Sequence, residues 1–348
     1  MGRKLYWYRL IKTTLITEAY KPQHTGAAAL VLRALKAMGC ATKQQLAQAT
    51  GLSVMAAGTA VEHLMEKGRV LVRGRAAATG GRPAAEYVYN ADYAHALVLC
   101  AFEENGRDSL HLRTVDLMGR CVHRTARPLE QARLESFAPD VEAALTRDGK
   151  IAAMGFGLPG TQRLGRLETS DYKGLLGTQF AGYYAARFSM PVVLENDVNA
   201  AALGYCTLRG KTDATLCYLY FPRRYGPGAG FVLQGRPFCG AGGFAGEIGR
   251  LPLGADWKKL SWGAFSPVCH AVAMCAGTAA AFLDPEEIVL CGEMLNGTHL
   301  AQVRRQCAAM LAGPLPQFTL AKDFLEDYTA GVAGRALEAL ELALEAQL

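Results

Sequence analysis

The sequence around Asn196 and Asp197 places two polar side chains where a buried strand is expected to turn into a helix. An apolar run of β type, residues 191–194 (Pro-Val-Val-Leu), precedes them, and Ala/Leu-rich helical sequence follows. A helix start carries free backbone N–H groups and a partial positive charge, both of which suit Asn and Asp. Ligands of open α/β sheets also bind at the carboxyl ends of strands. Asp197 is therefore either a helix cap alone or part of a binding site.

A second stretch, residues 240–250, is rich in glycine and carries one embedded carboxylate, Glu247. Glycine lets the backbone approach a ligand closely, so we interpret this stretch as a binding loop. The two motifs are Glu-Asn-Asp-x-Asn-Ala-Ala-Ala-Leu-Gly and Gly-x-x-Gly-x-Ala-Gly-Glu-Ile-Gly. In this order and at this separation they resemble the ROK family, which comprises repressors, uncharacterised reading frames and sugar kinases. The resemblance covers nearly all of the chain.

Charge is distributed unevenly along the chain. Residues 1–90 carry 13 Lys and Arg against 4 Asp and Glu, whereas the remaining residues carry 24 against 27. A basic front end on a slightly acidic body indicates a polyanionic partner, and duplex DNA is the expected one. Residues 1–12 lack the long apolar segment of a signal peptide, and no apolar run is expected to span a membrane. We therefore expect a cytoplasmic protein without a membrane partner.

Residues 23–90 predict a winged helix-turn-helix, preceded by an extension, residues 1–22, that gives no clear structural signal. Helical spacing extends over residues 24–38, and Thr42 and Ser53 are typical caps of two further helices. Strands at 69–73 and 86–89 would flank a Gly-Gly-Arg-Pro tip that resembles the wing of ROK repressors. The candidate DNA contacts are Lys43, Ser53, Thr59, Arg73, Arg75, Gly81 and Arg82.

The start of the expected recognition helix is apolar, from Val54 to Ala57, and Thr59 offers its first hydrogen-bonding side chain after the cap. Arg, Asn and Gln, which read bases with two hydrogen bonds, are absent there. Contacts with thymine methyl groups and with the wing would then supply specificity. The alternative is that the module contacts protein.

The predicted fold class is α/β: the winged helix-turn-helix is followed, at residues 92–348, by the two-lobed actin-like sugar-kinase domain that the resemblance implies. The first lobe is expected at about 92–196 with the C-terminal helix, and the second at about 197–328. Leu337, Leu340 and Leu344 form an apolar stripe on that helix, predicted over residues 330–348. The strands are predicted at 96–102, 109–116, 120–124, 151–156, 217–221, 228–234, 236–238 and 287–290, and two further helices near 140–147 and 300–311.

Three departures from ROK kinases concern ATP and zinc. Residues 103–108, with Glu103 and Glu104 adjacent, stand where the family has its Asp-x-Gly-x-Thr phosphate turn, and residues 224–230 replace its Gly-Thr-Gly-x-Gly loop. Arg250 stands at the family's zinc-binding His, and the cysteine cluster is missing, so a deletion of the zinc segment and of some helical sequence is inferred. We expect no metal, no cofactor and no enzyme activity, with Asp197 at a vestigial kinase-base position.

What remains is a polar sugar pocket. Carboxylates suit it because each accepts several hydrogen bonds from hydroxyl groups. Arg250 would either donate to a sugar or phosphate oxygen or pair with Glu247. The candidate ligand-binding residues are Pro159, Gly160, Asn196, Asp197, Glu247 and Arg250.

The resemblance implies a homodimeric, repressor-type transcriptional regulator that binds a DNA operator and responds to a sugar or sugar phosphate. A degenerate relative without a small ligand, and an ATP-dependent sugar kinase, are the two alternatives.

Overall fold

The computed structural model describes residues 26–75, 84–252, 257, 259–311 and 313–347. The predicted extension at 1–22 and the candidate DNA contacts Gly81 and Arg82 lie outside the described residues, as does the side chain of Arg75.

Within residues 26–75 and 84–89, the N-terminal domain has three helices and a small antiparallel sheet. Its elements are α1 (Ala27–Met38), β1 (Cys40–Ala41), α2 (Lys43–Thr50), α3 (Val54–Glu66), β2 (Val70–Arg75) and β3 (Ala85–Tyr89), with strand order β1-β3-β2. The predicted caps are confirmed. The Thr42 hydroxyl accepts from the Gln45 N–H at 3.3 Å, and the Ser53 hydroxyl accepts from the Ala56 N–H at 3.1 Å. These local signals therefore set the starts of α2 and α3.

The first lobe of the body is built on a five-stranded sheet of order β10-β7-β4-β5-β6. Its strands are β4 (His95–Glu104), β5 (Arg107–Asp116), β6 (Cys121–Pro128), β7 (Ile151–Leu158) and β10 (Val192–Asn196). Strands β4, β7 and β10 run parallel, so their carboxyl ends meet at one edge. Helices α4 (Ala138–Arg147) and α5 (Phe180–Phe188) pack on one face. A hairpin, β8 (Gly160–Arg163) and β9 (Arg166–Ser170), follows β7.

The second lobe has a five-stranded sheet of order β13-β12-β11-β14-β15. Its elements are α6 (Asp197–Leu208), β11 (Leu216–Tyr220), β12 (Gly228–Leu233), β13 (Arg236–Pro237), α7 (Phe265–Leu283), β14 (Glu287–Cys291), α8 (Gly297–Leu311) and β15 (Gln317–Leu320). The C-terminal helix, α9 (Phe324–Glu345), begins earlier than predicted. Side chains of α6 and α9 share one buried core with both sheets, so these two helices lie between the lobes.

Helix α7 was not predicted from the sequence. In length and composition alone it could cross a membrane. Val268, Val272 and Ala276 are buried in the core of the second lobe, and half of the apolar window is buried inside the protein. The helix therefore serves as a core helix of the second lobe.

The N-terminal domain contacts the body through the end of α9. Arg33 of α1 donates to both carboxylate oxygens of Glu345, at 2.9 and 3.0 Å, and Lys36 forms an ion pair with Glu341. The guanidinium of Arg69 lies 4.9 Å from the centre of the Tyr93 ring. The helix that packs between the lobes therefore also touches the N-terminal domain.

Candidate functional site

Asn196 ends β10 and caps α6. Its Oδ1 accepts from the N–H groups of Val198 and Asn199, both at 3.0 Å, and its Nδ2 donates to the carbonyl of Gly160 at 2.9 Å. Asn196 is thus the helix cap, a role that the sequence left open for Asp197. These bonds use Oδ1 and one of the two Nδ2 hydrogens, and the contact of Asn196 with ligand hydroxyls stays a prediction.

Asp197 is the first residue of α6 and is only 8% exposed. One of its carboxylate oxygens accepts from the Val198 N–H at 2.9 Å. Burial, followed by repulsion from Asp171 and Glu247, raises the pKa of Asp197 from 3.8 to about 7. A carboxyl with a pKa of about 7 gains and loses its proton near neutral pH.

Two further carboxylates lie near Asp197. Asp171 follows β9 and remains exposed to solvent; partial desolvation by the surrounding protein, together with the charge of Glu247, raises its pKa. Burial also raises the pKa of Glu247, against the opposing effect of Arg250. The charges of Glu247 and Asp171 both act on Asp197, whereas the pocket predicted to be shared by Asp197 and Glu247 stays a prediction. Asp171 was missed from the sequence because the hairpin before it was not predicted.

The glycine-rich loop holds Glu247 in place by close backbone packing. Gly246 has φ +101°, and a Cβ there would lie 2.0 Å from the carbonyl oxygen of Ala229. Only glycine fits such a position. Arg250 Nε lies 3.8 Å from Glu247 Oε2, and its side chain is largely exposed. Two roles were predicted for Arg250, donation to a sugar or phosphate oxygen and pairing with Glu247. The structure contains the pairing with Glu247.

A cavity of about 70 Å³ adjoins the end of β10. Gly160 and Asn196 line it, whereas Pro159, Asp197, Glu247 and Arg250 do not. The Pro159 carbonyl instead accepts from the Ser170 hydroxyl at 2.8 Å. The lining residues are Leu158, Gly160, Thr161, Gln162, Leu167, Leu194, Glu195, Asn196, Asn199, Cys239 and Gly243.

At the expected phosphate turn, a protein carboxylate occupies the backbone donors. Glu103 is 5% exposed, and its two oxygens accept from the N–H groups of Gly106, at 3.1 Å, and Arg224, at 2.8 Å. The Tyr225 hydroxyl donates to Asp108 at 3.1 Å. The sequence predicted that these acidic and bulky residues damage the phosphate site. The structure shows that they tie the two loops to each other.

The DNA-contact candidates within the described residues lie on α2, α3 and β2. Lys43 pairs with Glu62 at 2.7 Å, and Ser53 caps α3. The hydroxyl of Thr59 donates to the Met55 carbonyl, and Arg73 contacts the Cys40 sulfur at 3.0 Å.

The apolar start of α3 faces outward. The side chains of Val54 and Met55 are 54% and 83% exposed. Exposed apolar groups at a helix start favour contact with another molecule.

The cysteines give no indication of a metal. Cys269 and Cys275 are buried in the core of the second lobe. Across the described ranges no group of three His, Cys, Asp or Glu side chains is arranged to hold a metal ion.

Comparison with known proteins supports a common origin for the body. The sequence model of the ROK family matches residues 99–270. The xylose repressor of Caldicellulosiruptor bescii is 22% identical over 235 residues, which cover 64% of this chain and 58% of that protein. The DNA-binding transcriptional dual regulator NagC of Escherichia coli K12 is 25% identical over 239 residues, covering 65% and 58%. The matched parts therefore span less than two thirds of these relatives.

Solved structures show the same fold. A ROK family transcriptional regulator, a homologue of the E. coli MLC protein, superposes with a TM-score of 0.66 at 14% identity, covering 92% of this chain and 98% of that one. The ROK hexokinase of Thermus thermophilus superposes with a TM-score of 0.58 at 20% identity, covering 71% and 99%. The matched region, residues 99–270, contains both motifs and belongs to the ROK family, and the α/β sugar-kinase-like fold agrees with this match.

Proposed function

We propose that this protein is a cytoplasmic, sugar-responsive transcriptional repressor that binds duplex DNA as a homodimer and has no sugar kinase activity. The observation that carries the proposal is the path of α9, which connects the carboxylate-lined site to the N-terminal domain. Arg335 on α9 donates to Glu195 at 2.8 Å, beside Asn196, and Glu345 near its end binds Arg33. The relatives named xylose repressor and N-acetylglucosamine repressor support the same function.

The N-terminal domain is proposed to be a winged helix-turn-helix. Its support is the order of three helices and two long antiparallel strands, the capped starts of α2 and α3, and the net charge of +9 over residues 1–90. In such a domain α3 is the recognition helix and enters the major groove. Two-fold pairing of the bodies would present two such helices to a two-fold operator.

Duplex DNA binding is expected to weaken steeply with salt, because each neutralised phosphate releases counterions. Arg82→Ala is expected to lower affinity by about tenfold, most for sites with a narrow A·T-rich minor groove. Lys43→Ala should lower affinity by a few-fold at all sequences, since Lys43 already pairs with Glu62. Fluorescence anisotropy with varied duplexes at several salt concentrations measures both effects.

The matched control for these variants is Lys150→Ala, which removes a lysine paired with Asp92 on the body. It should leave DNA affinity unchanged. If no duplex binds even at low salt, the N-terminal domain contacts protein and the regulator assignment is wrong. DNA binding that no sugar alters would favour a ROK protein without a small ligand.

We base the proposed absence of kinase activity on residues 103–108 and 224–230, which stand where ROK kinases bind the ATP phosphates. Because Glu103 already accepts from the backbone N–H groups of both loops, a triphosphate would have to displace a buried carboxylate. Calorimetric titration with Mg-ATP is expected to show no saturable heat at millimolar nucleotide, with an active ROK hexokinase as the positive control. A micromolar dissociation constant would contradict this prediction.

Helix α9 is proposed to transmit the sugar signal to the DNA-binding domain. Arg33→Glu and Glu345→Arg should each reduce the change in DNA affinity that sugar causes by roughly fivefold, because each reversal sets like charges against each other. The double variant restores the pair and should restore the response. Anisotropy with and without sugar measures this coupling, and sugar affinity measured without DNA should stay unchanged.

The control for the α9 variants is the reversal Arg187→Glu, which breaks a similar pair with Glu142 on the outer face of the first lobe. It should leave the coupling intact. A double variant that responds no better than either single variant would argue against transmission through this contact.

A further inference from the structure

A second cavity, the β5–α9 cavity, lies between the sheet of the first lobe and α9 and has a volume of about 110 Å³. It shares no lining residue with the cavity at the end of β10. Its apolar wall is buried and consists of Val98, Val115, Ala330 and Ala333. A single water needs roughly 10–15 Å³ of such space, so the β5–α9 cavity has room for a small organic molecule.

Two arginines line the β5–α9 cavity, and each keeps hydrogen-bond donors that a ligand can use. Arg113 Nη1 donates to Glu326 Oε2 at 2.9 Å, whereas Nε and Nη2 of Arg113 donate to no group of the described residues. Arg120 Nε donates to Asp116 at 2.6 Å, and its two Nη groups donate to none of the described residues either. A guanidinium presents its N–H donors in a planar fork that matches a carboxylate. The free donors therefore suit a carboxylate ligand.

Arg124 adds a further positive charge beside this cavity. It is an exposed residue of β6 and stands directly opposite Arg113 of β5 in the antiparallel register. Within the described ranges, Arg124 forms no ion pair with a carboxylate. Side chains of opposed residues point to the same face of a sheet, so these two like charges destabilise the pairing of the strands. A bound anion would offset this repulsion.

The other polar side chains of the lining limit the charge and the shape of the ligand. Glu326 is the one carboxylate against the two arginines, and it already accepts from Arg113. The Thr329 hydroxyl donates to the Leu325 carbonyl at 2.7 Å, so its proton is committed. The lining therefore favours a single negative charge on a molecule whose other end is apolar. Inorganic phosphate would meet the charge of Glu326 and leave the apolar wall without a contact.

We propose that the β5–α9 cavity is a binding site for a small carboxylate with a short apolar chain, held by the guanidinium groups of Arg113 and Arg120. The chain packs against the apolar wall, where its burial contributes to affinity. The bound molecule touches both β5 and α9, the helix that reaches the N-terminal domain through Glu345. This site is separate from the sugar-responsive function proposed above and does not depend on it.

The first test compares ligands by thermal shift and then by calorimetry on the full chain. The carboxylates are 3-methylbutanoate and 4-methyl-2-oxopentanoate, and the controls are 3-methylbutylamine and inorganic phosphate. At about 10 mM, at least one carboxylate should raise the melting temperature, because binding to the folded chain stabilises it. That carboxylate should bind about tenfold or more tightly than the amine, which cannot accept from the arginines. No shift with either carboxylate, or an equal shift with the amine or with phosphate, overturns the proposal.

Variants test the residues. Arg113→Gln should lower affinity for the bound carboxylate about tenfold, and Arg124→Gln should lower it a few-fold. Glu326→Gln removes the competing charge and should raise affinity a few-fold. The matched control Arg187→Gln removes an exposed arginine of the same lobe that pairs with Glu142, and it should leave affinity unchanged.

Melting temperatures without ligand report whether each variant folds. Arg124 is exposed, so Arg124→Gln keeps the test available if Arg113→Gln does not fold. Unchanged carboxylate affinity in the folded arginine variants would overturn the assignment of the cavity.

Cysteine alkylation gives an independent measurement of the same site. Cys121 is exposed and lines the β5–α9 cavity, whereas Cys239 lines the cavity at the end of β10. A bound carboxylate should slow the reaction of Cys121 with iodoacetamide, as followed by mass spectrometry, and leave that of Cys239 unchanged. Equal rates at Cys121 with and without a saturating carboxylate would place the ligand elsewhere and overturn the proposal.

Discussion

Replacing Gly331 with alanine is expected to lower the free energy of unfolding by about 3 kcal/mol. Gly331 lies on α9 where it crosses α6, and a Cβ there would stand 1.9 Å from the carbonyl oxygen of Ala200. The contact is reciprocal, since a Cβ at Gly204 of α6 would stand 1.8 Å from the carbonyl oxygen of Asp327. Backbone atoms of two packed helices cannot yield as a side chain can, so the helices must separate.

The matched control lies one turn further along the same helix. A Cβ at Gly334 would meet no atom of the described residues within 4 Å. Gly334→Ala should therefore raise stability by about 0.5–1 kcal/mol, because alanine favours the helix over glycine. Urea denaturation of both variants makes the comparison. Similar stability of the two variants would show that the α6–α9 contact is looser than this geometry.

Much of the fold could be predicted from signals that lie within short stretches of the sequence. The caps Thr42 and Ser53 and the buried runs that became β4 and β7 could be predicted because their cause lies within a few neighbouring residues. Helix α7 could not. Its sequence is rich in Ala and Cys and is apolar on several sides, so its burial gives no clear helical period. The polar hairpin β8–β9 likewise gave no strand signal.

The site was predictable only where the motifs are contiguous. Asp197 and Glu247 stand inside the two motifs, and the charge of Glu247 acts on Asp197 to raise its pKa. The residues around Asp171 and Asn199 come from segments far apart in the chain. Their positions depend on strand pairing and helix packing, which short-range sequence patterns do not predict. In the sequence, Glu103 was visible only as a departure from the family's phosphate turn. Its hydrogen-bond donor, the N–H group of Arg224, could be identified only from the structure.

Asp197→Asn is expected to change the pH dependence of stability. Because the pKa of Asp197 is about 7 in the folded protein and about 3.8 in the unfolded chain, the folded protein holds a proton between these values that the unfolded chain has released. The contribution of this group to stability is therefore fully present below pH 4 and is lost as pH rises through 7. At 1.36 kcal/mol per pKa unit, the loss is roughly 4 kcal/mol.

Asparagine has a similar shape and does not ionise, so the variant should escape this loss. Urea denaturation from pH 4 to 8.5 should show that the free energy of unfolding of the variant, relative to that of the wild-type protein, increases by roughly 4 kcal/mol as pH rises. Asp171→Asn should show a gain of the same sign but much smaller, because Asp171 is solvent-exposed and water screens its charge. The two carboxyls repel each other, so the gain of the double variant should fall short of the sum. Parallel pH profiles for wild type and Asp197→Asn would mean that burial and the neighbouring carboxylates do not raise the pKa of Asp197.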